Sequence, residues 1–228
     1  MNLETHTIAG DDEVIIHVEL NITDTLNLSN VNVFITIGGV PFITDTNITV
    51  VIDLSDVAEF IGNPARVVAV YGNPTILGGT FNPLNGLFSL TGSLAYYGEF
   101  SVVYLPDLTR IVLTIDSQLY TDLVAAQTNQ MDVAPFVEDG RTMVPIRFIA
   151  EALGATINST WVDSVQQITI VYGNETISFL ICQLAPGMDV PAQIIDSRTF
   201  VPVRFVAEAL GTSVIWNSAT QTVEILAN

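Results

Sequence analysis

Arginine and glutamate recur at one spacing in two places: Arg141, Arg147 and Glu151, then Arg198, Arg204 and Glu208, 57 residues later. A guanidinium four residues before a carboxylate on a helix forms a surface pair, and guanidinium forks also bind carboxylates and phosphates. A unique site is built once, so recurrence in both places favours scaffold. Arg141 and Arg198, each just before an apolar run, are expected to hold a turn or a partner carboxylate. Two histidines are present, His6 and His17, and a zinc or copper site from them needs a carboxylate and a favourable strand register. Solvent-facing histidines are the expectation, and no metal site is assigned. The acid clusters Asp11-Asp12-Glu13, Asp45, and Asp53 with Asp56 lack EF-hand spacing and read as a solvated face, with calcium as the candidate cofactor if any. Trp161, Trp216, Tyr71, Tyr96, Tyr97 and Tyr172 are flat enough to stack on sugars, against core packing as the plainer expectation. Cys182 closes the apolar run Ile177 to Cys182 and reads as a buried strand position. No Ser-His-Asp, Cys-His or paired-carboxylate spacing stands out, so no catalytic residue, cofactor or reaction is assigned.

Composition narrows the classes further. Six arginines, no lysine and 24 acidic residues give a net charge of −18, which excludes a basic nucleic-acid binder. Without lysine there is no Schiff-base catalysis, no P-loop clamp and no lysine isopeptide crosslink. Apolar residues make up 49% of the chain and charged residues 13%, too apolar for disorder, so large cores or an assembly interface follow. A single cysteine allows no intrachain disulfide. No stretch approaches the roughly 18 apolar residues of a membrane span, and residues 1 to 10 lack the pattern of a signal peptide.

The elements that must carry these residues fall into two halves, a β-sandwich domain over 1–105 and a second domain over 106–228. Val14, Ile16, Val18 and Leu20 alternate with polar neighbours, the period of a half-buried strand. β-branched and aromatic runs follow at Val31 to Ile37, Ile48 to Leu54, Arg66 to Tyr71, Leu87 to Leu90 and Phe100 to Leu105, separated by Gly, Pro and Asn. Short strands so spaced predict an antiparallel sandwich. Only Leu54 to Ile61 hints at a helical turn.

The second half contains an internal repeat near 139–172 and 196–226. Residues 139 to 154 return as residues 196 to 211 with changes only at Gly140/Ser197, Met143/Phe200, Ile146/Val203 and Ile149/Val206. In each copy a turn leads into a short strand, Pro145 or Pro202 takes the first helical position, and a three-turn helix follows. Ile146, Ile149, Ala150 and Leu153 share its buried face, Arg147 and Glu151 pair on the other, and Gly154 or Gly211 stops it. Strands then complete a β-α-β-β unit. Trp161 stands seven positions after Gly154 and Trp216 five after Gly211, which predicts a bulge or longer loop in the first copy. The fold class is therefore mainly β with α+β.

The motif Arg-Thr-x-Val-Pro-x-Arg-Phe-x-Ala-Glu-Ala-Leu-Gly, followed by a Trp and a strand, resembles the stalk domain at the N-terminus of copper amine oxidases. The resemblance covers roughly residues 108 to 228, including Ile111 to Asp116 and Met131 to Phe136. It implies an accessory, non-catalytic role and an extracellular or cell-surface setting, since the family occurs mostly in secreted and surface proteins of Firmicutes. The oxidase machinery itself, a tyrosine-derived cofactor and a His-x-His pair among three histidine ligands, is missing. Ser93 to Tyr104 is similar to the closing strand of β-rich modules in long bacterial surface proteins, with Ala95-Tyr96-Tyr97 where His-Phe-Ser often stands.

The resulting expectation is a non-enzymatic structural protein of a bacterial surface or extracellular assembly, self-associating as a filament or layer. The strand marked by Val14, Ile16, Val18 and Leu20, or the terminal segment Leu3 to Ile8, is the candidate assembly strand. The alternatives are a module binding cell-wall polysaccharide and an accessory domain of a larger secreted enzyme.

Overall fold

The computed structural model describes the backbone of residues 2–8, 13–20, 31–37, 40–41, 47–72, 75–93 and 99–228, with side chains over 49–55, 58–59, 61–72, 75–91 and 100–228. The chain divides into two compact units, Met1–Asp107 and Leu108–Asn228. The fold is mainly β, with antiparallel sheets and two α-helices.

Unit 1 consists of β1 (Asn2–Ile8), β2 (Glu13–Leu20), β3 (Val31–Ile37), β4 (Val40–Pro41), β5 (Asn47–Asp53), β6 (Val67–Tyr71), β7 (Thr75–Gly78), β8 (Thr80–Asn82), β9 (Leu87–Ser93) and β10 (Glu99–Tyr104). One sheet runs β1-β2-β3-β10-β6-β7, with β4 added beside β3, and the other runs β5-β9-β8. Alternation explains how they pack. Phe100, Val102, Val67 and Ala69 from the first sheet share one buried core with Val50, Ile52, Phe81, Phe88 and Leu90 from the second, a face-to-face antiparallel sandwich. Val33 and Val31 stand opposite Phe100 and Val102, and Val18 and Leu20 stand opposite Val33 and Val31 in turn.

The corner after β5 is a 3₁₀ turn, Ser55–Phe60, where only a hint of helix was expected. Hydrogen bonds from the Ser55 hydroxyl and then its backbone N–H hold the Asp53 carboxyl below its ordinary value. Gly79 has φ +101°, and a Cβ there would stand 2.2 Å from the Phe88 ring, so the buried ring lies directly on the glycine backbone.

Unit 2 begins with β11 (Thr109–Thr114) and the hairpin β12 (Leu119–Asp122) and β13 (Gln127–Gln130). The first repeat copy follows as β14 (Phe136–Glu138), β15 (Arg141–Pro145), α1 (Ile146–Leu153), β16 (Thr156–Val162) and β17 (Val165–Tyr172). A lead strand, β18 (Glu175–Leu180), precedes the second copy, which is β19 (Gln193–Ile195), β20 (Arg198–Pro202), α2 (Val203–Ala209), β21 (Ser213–Asn217) and β22 (Thr222–Ala227). Three sheets result, in the orders β13-β12-β11-β22-β21, β14-β15-β20-β19 and β16-β17-β18. Their apolar faces and both helices meet in one core.

Several local expectations change. Helix α1 has eight residues, a little over two turns rather than three. Pro145 is its N-cap, not its first helical residue: at ψ 126° it is still extended and closes β15 opposite Phe200. The two extra residues before Trp161 form no bulge. They lengthen β16, which pairs with β17 without interruption from Thr156↔Val171 to Val162↔Val165. Cys182 is exposed, with φ +59°, because β18 ends at Leu180 and the chain turns there.

Candidate functional site

The repeat positions its matching residues around a local two-fold. In the central sheet Val144 pairs with Val201, flanked by Met143↔Pro202 and Pro145↔Phe200. The 57-residue step carries each member of these pairs onto the mate of the other, so the two-fold passes between Val144 and Val201. Phe136 packs edge-on against Phe200, with ring centroids 5.0 Å apart.

The lead strands are exchanged across this two-fold. β11 precedes the first copy but pairs with β22 of the second, while β18 precedes the second copy and pairs with β17 of the first. Matching hydrogen bonds mark the equivalence: Ile115 N–H donates to Gln221 C=O as Ile181 N–H donates to Gln166 C=O, and Asp116 N–H donates to Pro135 C=O as Cys182 N–H donates to Ala192 C=O. Cys182 therefore fills the turn position that Asp116, φ +61°, fills in the other copy.

The charged side chains follow the same symmetry. Arg141 donates from Nε and Nη2 to Asp189 Oδ2, at 2.8 and 2.5 Å. Arg198 donates from Nε to Asp132 Oδ2. Asp132 and Asp189 are themselves 57 residues apart, each in the sequence Met-Asp-Val at 131–133 and 188–190. This earlier reach of the repeat is a signal that the sequence holds and that a reading from residue 139 onward misses. The hydrogen bond from Arg198, outweighing the opposing desolvation and helped by the charges of Arg198 and Arg147, holds the Asp132 carboxyl below its ordinary value.

Arg204 and Glu208 approach to 3.9 Å on the exposed face of α2, whereas Arg147 and Glu151 make no ion pair with each other. Arg110, 4% exposed, donates to Glu224 on the neighbouring strand. Gly154 and Gly211 adopt left-handed conformations at φ +71° and +69°, ending the helices, and Pro202 repeats the N-cap role of Pro145.

A groove of about 390 Å³ lies beside the central sheet, lined by Arg141, Thr142, Pro202, Arg204, Val214 and Trp216. Its two arginines come from different copies; Arg141 is hydrogen-bonded to Asp189, Arg204 approaches Glu208 to 3.9 Å on the exposed helix face, and Trp216 forms part of the wall. Trp161 departs furthest from expectation: it is 73% exposed and Trp216 38%, so core packing does not hold for Trp161.

Among the described strands β1 is the outermost of its sheet and β2 is paired on both sides, so the edge belongs to Asn2–Ile8 and not to the strand of Val14, Ile16, Val18 and Leu20. In the register of β1 and β2, His6 stands opposite Ile15 and His17 opposite Glu4. Asp11, Asp12, Asp45, Tyr96 and Tyr97 lie outside the described residues. Among the described residues no group of three metal-ligating side chains occurs, and no helix is long and apolar enough to cross a membrane.

Unit 2 is thus a tandem β-α-β-β scaffold held by reciprocal ion pairs. The sequence profile of the copper amine oxidase N-terminal domain matches the chain twice, over residues 62–159 and 123–225, and the chain belongs to that family, a non-catalytic accessory domain. The first match begins inside unit 1, well before residue 108. Residues 123–159, holding much of the first repeat copy, fall in both matches. No curated protein and no solved structure matches the chain.

Proposed function

We propose that the protein is a non-enzymatic structural component of a bacterial cell surface or extracellular assembly, associating with itself through strand contacts into a filament or layer. The observation that carries this is the edge position of β1, seven residues long and, among the described strands, paired only with β2. Such an edge presents unpaired backbone donors and acceptors to another chain, and no lysine guards it. Repeated head to tail, that contact propagates rather than closes. The charge of −18 opposes it at low salt, so association strengthens as salt or calcium rises.

Light scattering and negative-stain electron microscopy of the full chain test this, at low and high salt with and without calcium. Polymer growth with ionic strength is the expected result, and a monomer under every condition overturns it. Proline at Glu4 and, separately, at Thr5 should reduce the mass in at least one case, because neighbouring N–H groups on a strand point to opposite edges. Amine oxidase activity is expected to stay at background with added copper.

The exposure of Trp161, with Trp216 on a groove wall, favours a second reading, a module that binds cell-wall polysaccharide. Retention on insoluble cell wall that Trp161→Ala and Trp216→Ala both abolish would support it over assembly.

A further inference from the structure

The two residues that distinguish the first repeat copy from the second lengthen one strand, β16, and that strand is an open edge. Its other side pairs with β17, and no described strand lies beyond it. Of the six edge strands in unit 2 it is the longest, at seven residues, and six of the seven are exposed. It reads Thr-Ile-Asn-Ser-Thr-Trp-Val, without charge, proline or glycine. The charges, prolines and bulges that normally blunt an edge are therefore missing.

The sequence of β16 is also complementary to itself. Laid antiparallel on a second copy about Ser159, it sets Ile157 opposite Trp161, Asn158 opposite Thr160 and Thr156 opposite Val162, with Ser159 opposite its own mate. Aromatic and β-branched residues meet twice, polar residues meet polar residues, and no like charges meet. Trp161 gains most. It lies on the same face as Ile157, which packs at the margin of the core, but is itself 73% exposed. In the paired arrangement a neighbour's Ile157 lies beside it. The related strand β21 is two residues shorter, and its Trp216 is already half covered in the groove.

We propose that β16 is a two-fold docking edge for a second copy of this chain, joining the β16-β17-β18 sheets of two protomers into one six-stranded sheet. The contact is isologous and closes on itself, so alone it gives dimers, and combined with the β1 edge it crosslinks a filament. It deepens the assembly reading but depends on different residues.

The test uses charge at the two-fold. Ser159→Lys and Ser159→Glu each place like charges opposite one another in the pair while changing the net charge in opposite directions. Sedimentation equilibrium of the full chain at moderate salt should show each variant associating at least tenfold more weakly than the parent, and an equimolar mixture recovering the parent's mass. In a Trp216→Phe background, Trp161 emission should shift to the blue and lose iodide quenching as protein concentration rises. Unchanged association in both single variants, a mixture no heavier than its components, or a Trp161 emission independent of concentration overturns the proposal. The β1 reading is separable: its proline variants lose mass while Ser159→Lys keeps a contact at β1, and failure at β16 leaves that contact standing.

Discussion

Arg198 holds Asp132 across 66 residues of chain, and a step of 57 residues turns that pair into Arg141 holding Asp189 across 48. Each copy of the repeat thus supplies the arginine for the other copy's aspartate. The pairs are partly exposed, so each contributes little alone. Their effect is to fasten the segments ahead of β14 and β19 to the opposite copy, where β11 and β18 are already exchanged.

Acid should loosen that fastening first. The Asp132 carboxyl is held low, so its contribution is fully present above the ordinary carboxylate value of about 3.9 and is lost as pH falls through its depressed value in the folded protein. Melting temperatures measured from pH 6 to pH 2.5 should fall more steeply for the parent than for Asp132→Asn. Parallel curves would show that the pair carries no linkage.

Truncation of either helix tests the shared core. Leu153 and Leu210 occupy equivalent places at the ends of α1 and α2, 8% and 2% exposed. Changing either to Ala should cost about 2–5 kcal/mol, with the larger loss at Leu210, whose surroundings leave less room to relax. Losses below about 1 kcal/mol at both sites, measured by chemical denaturation, would contradict the packing described here.

Helices and central strands were legible in the sequence because local chemistry and burial agree there. Pro145, the apolar stripe of Ile146, Ile149, Ala150 and Leu153, and Gly154 all point to one short helix, and Val31 to Ile37 forms a strand to the residue. What was illegible depends on contacts between distant segments. β14 and β19 are three residues each and exist because β15 and β20 pair with them. The exchange of β11 and β18 leaves no local trace. Cys182 sits in an apolar run yet is exposed, because β18 ends at Leu180 and the Cys182 N–H, at φ +59°, donates to the Ala192 carbonyl in a turn. Trp161 looked like core because its counterpart Trp216 follows an alternating strand, and the two-residue insertion carries it past the core's edge. For Arg141 and Arg198 the sequence left a turn and a partner carboxylate both open, and spacing could not name the aspartates they meet.

In unit 1 the decisive close approach is at Gly79. A methyl group there would meet the ring of Phe88, which is fully buried and cannot swing aside, and the backbone at φ +101° disfavours any side chain. Gly79→Ala should destabilise unit 1 by about 1–3 kcal/mol or more, the cost of overpacking together with the strained backbone. Hydrogen exchange can assign the loss to β8 and β9. An unchanged exchange pattern would mean that the ring stands clear of the backbone.

The turn between β16 and β17 should respond in the opposite direction. Asp163 and Ser164 connect Val162 to Val165 with φ +47° and +67°, the two left-handed residues of a type I′ hairpin. A side chain in that conformation costs about 1–2 kcal/mol, whereas glycine removes the strain and adds unfolded-state entropy worth about 0.4–1 kcal/mol. Relief exceeds the entropy, so Ser164→Gly should stabilise unit 2 by roughly 0.5–1 kcal/mol. The matching hairpin between β21 and β22 is closed differently: Asn217 Oδ1 accepts hydrogen bonds from the N–H groups of Ala219 and Thr220, at 3.0 and 3.3 Å. Ser218 has no positive φ to relieve, so Ser218→Gly supplies the control and should lose stability slightly. Urea denaturation of both variants decides the matter, and a loss at Ser164→Gly equal to that at Ser218→Gly would remove the type I′ turn from the first copy and with it the register that leaves β16 straight and open.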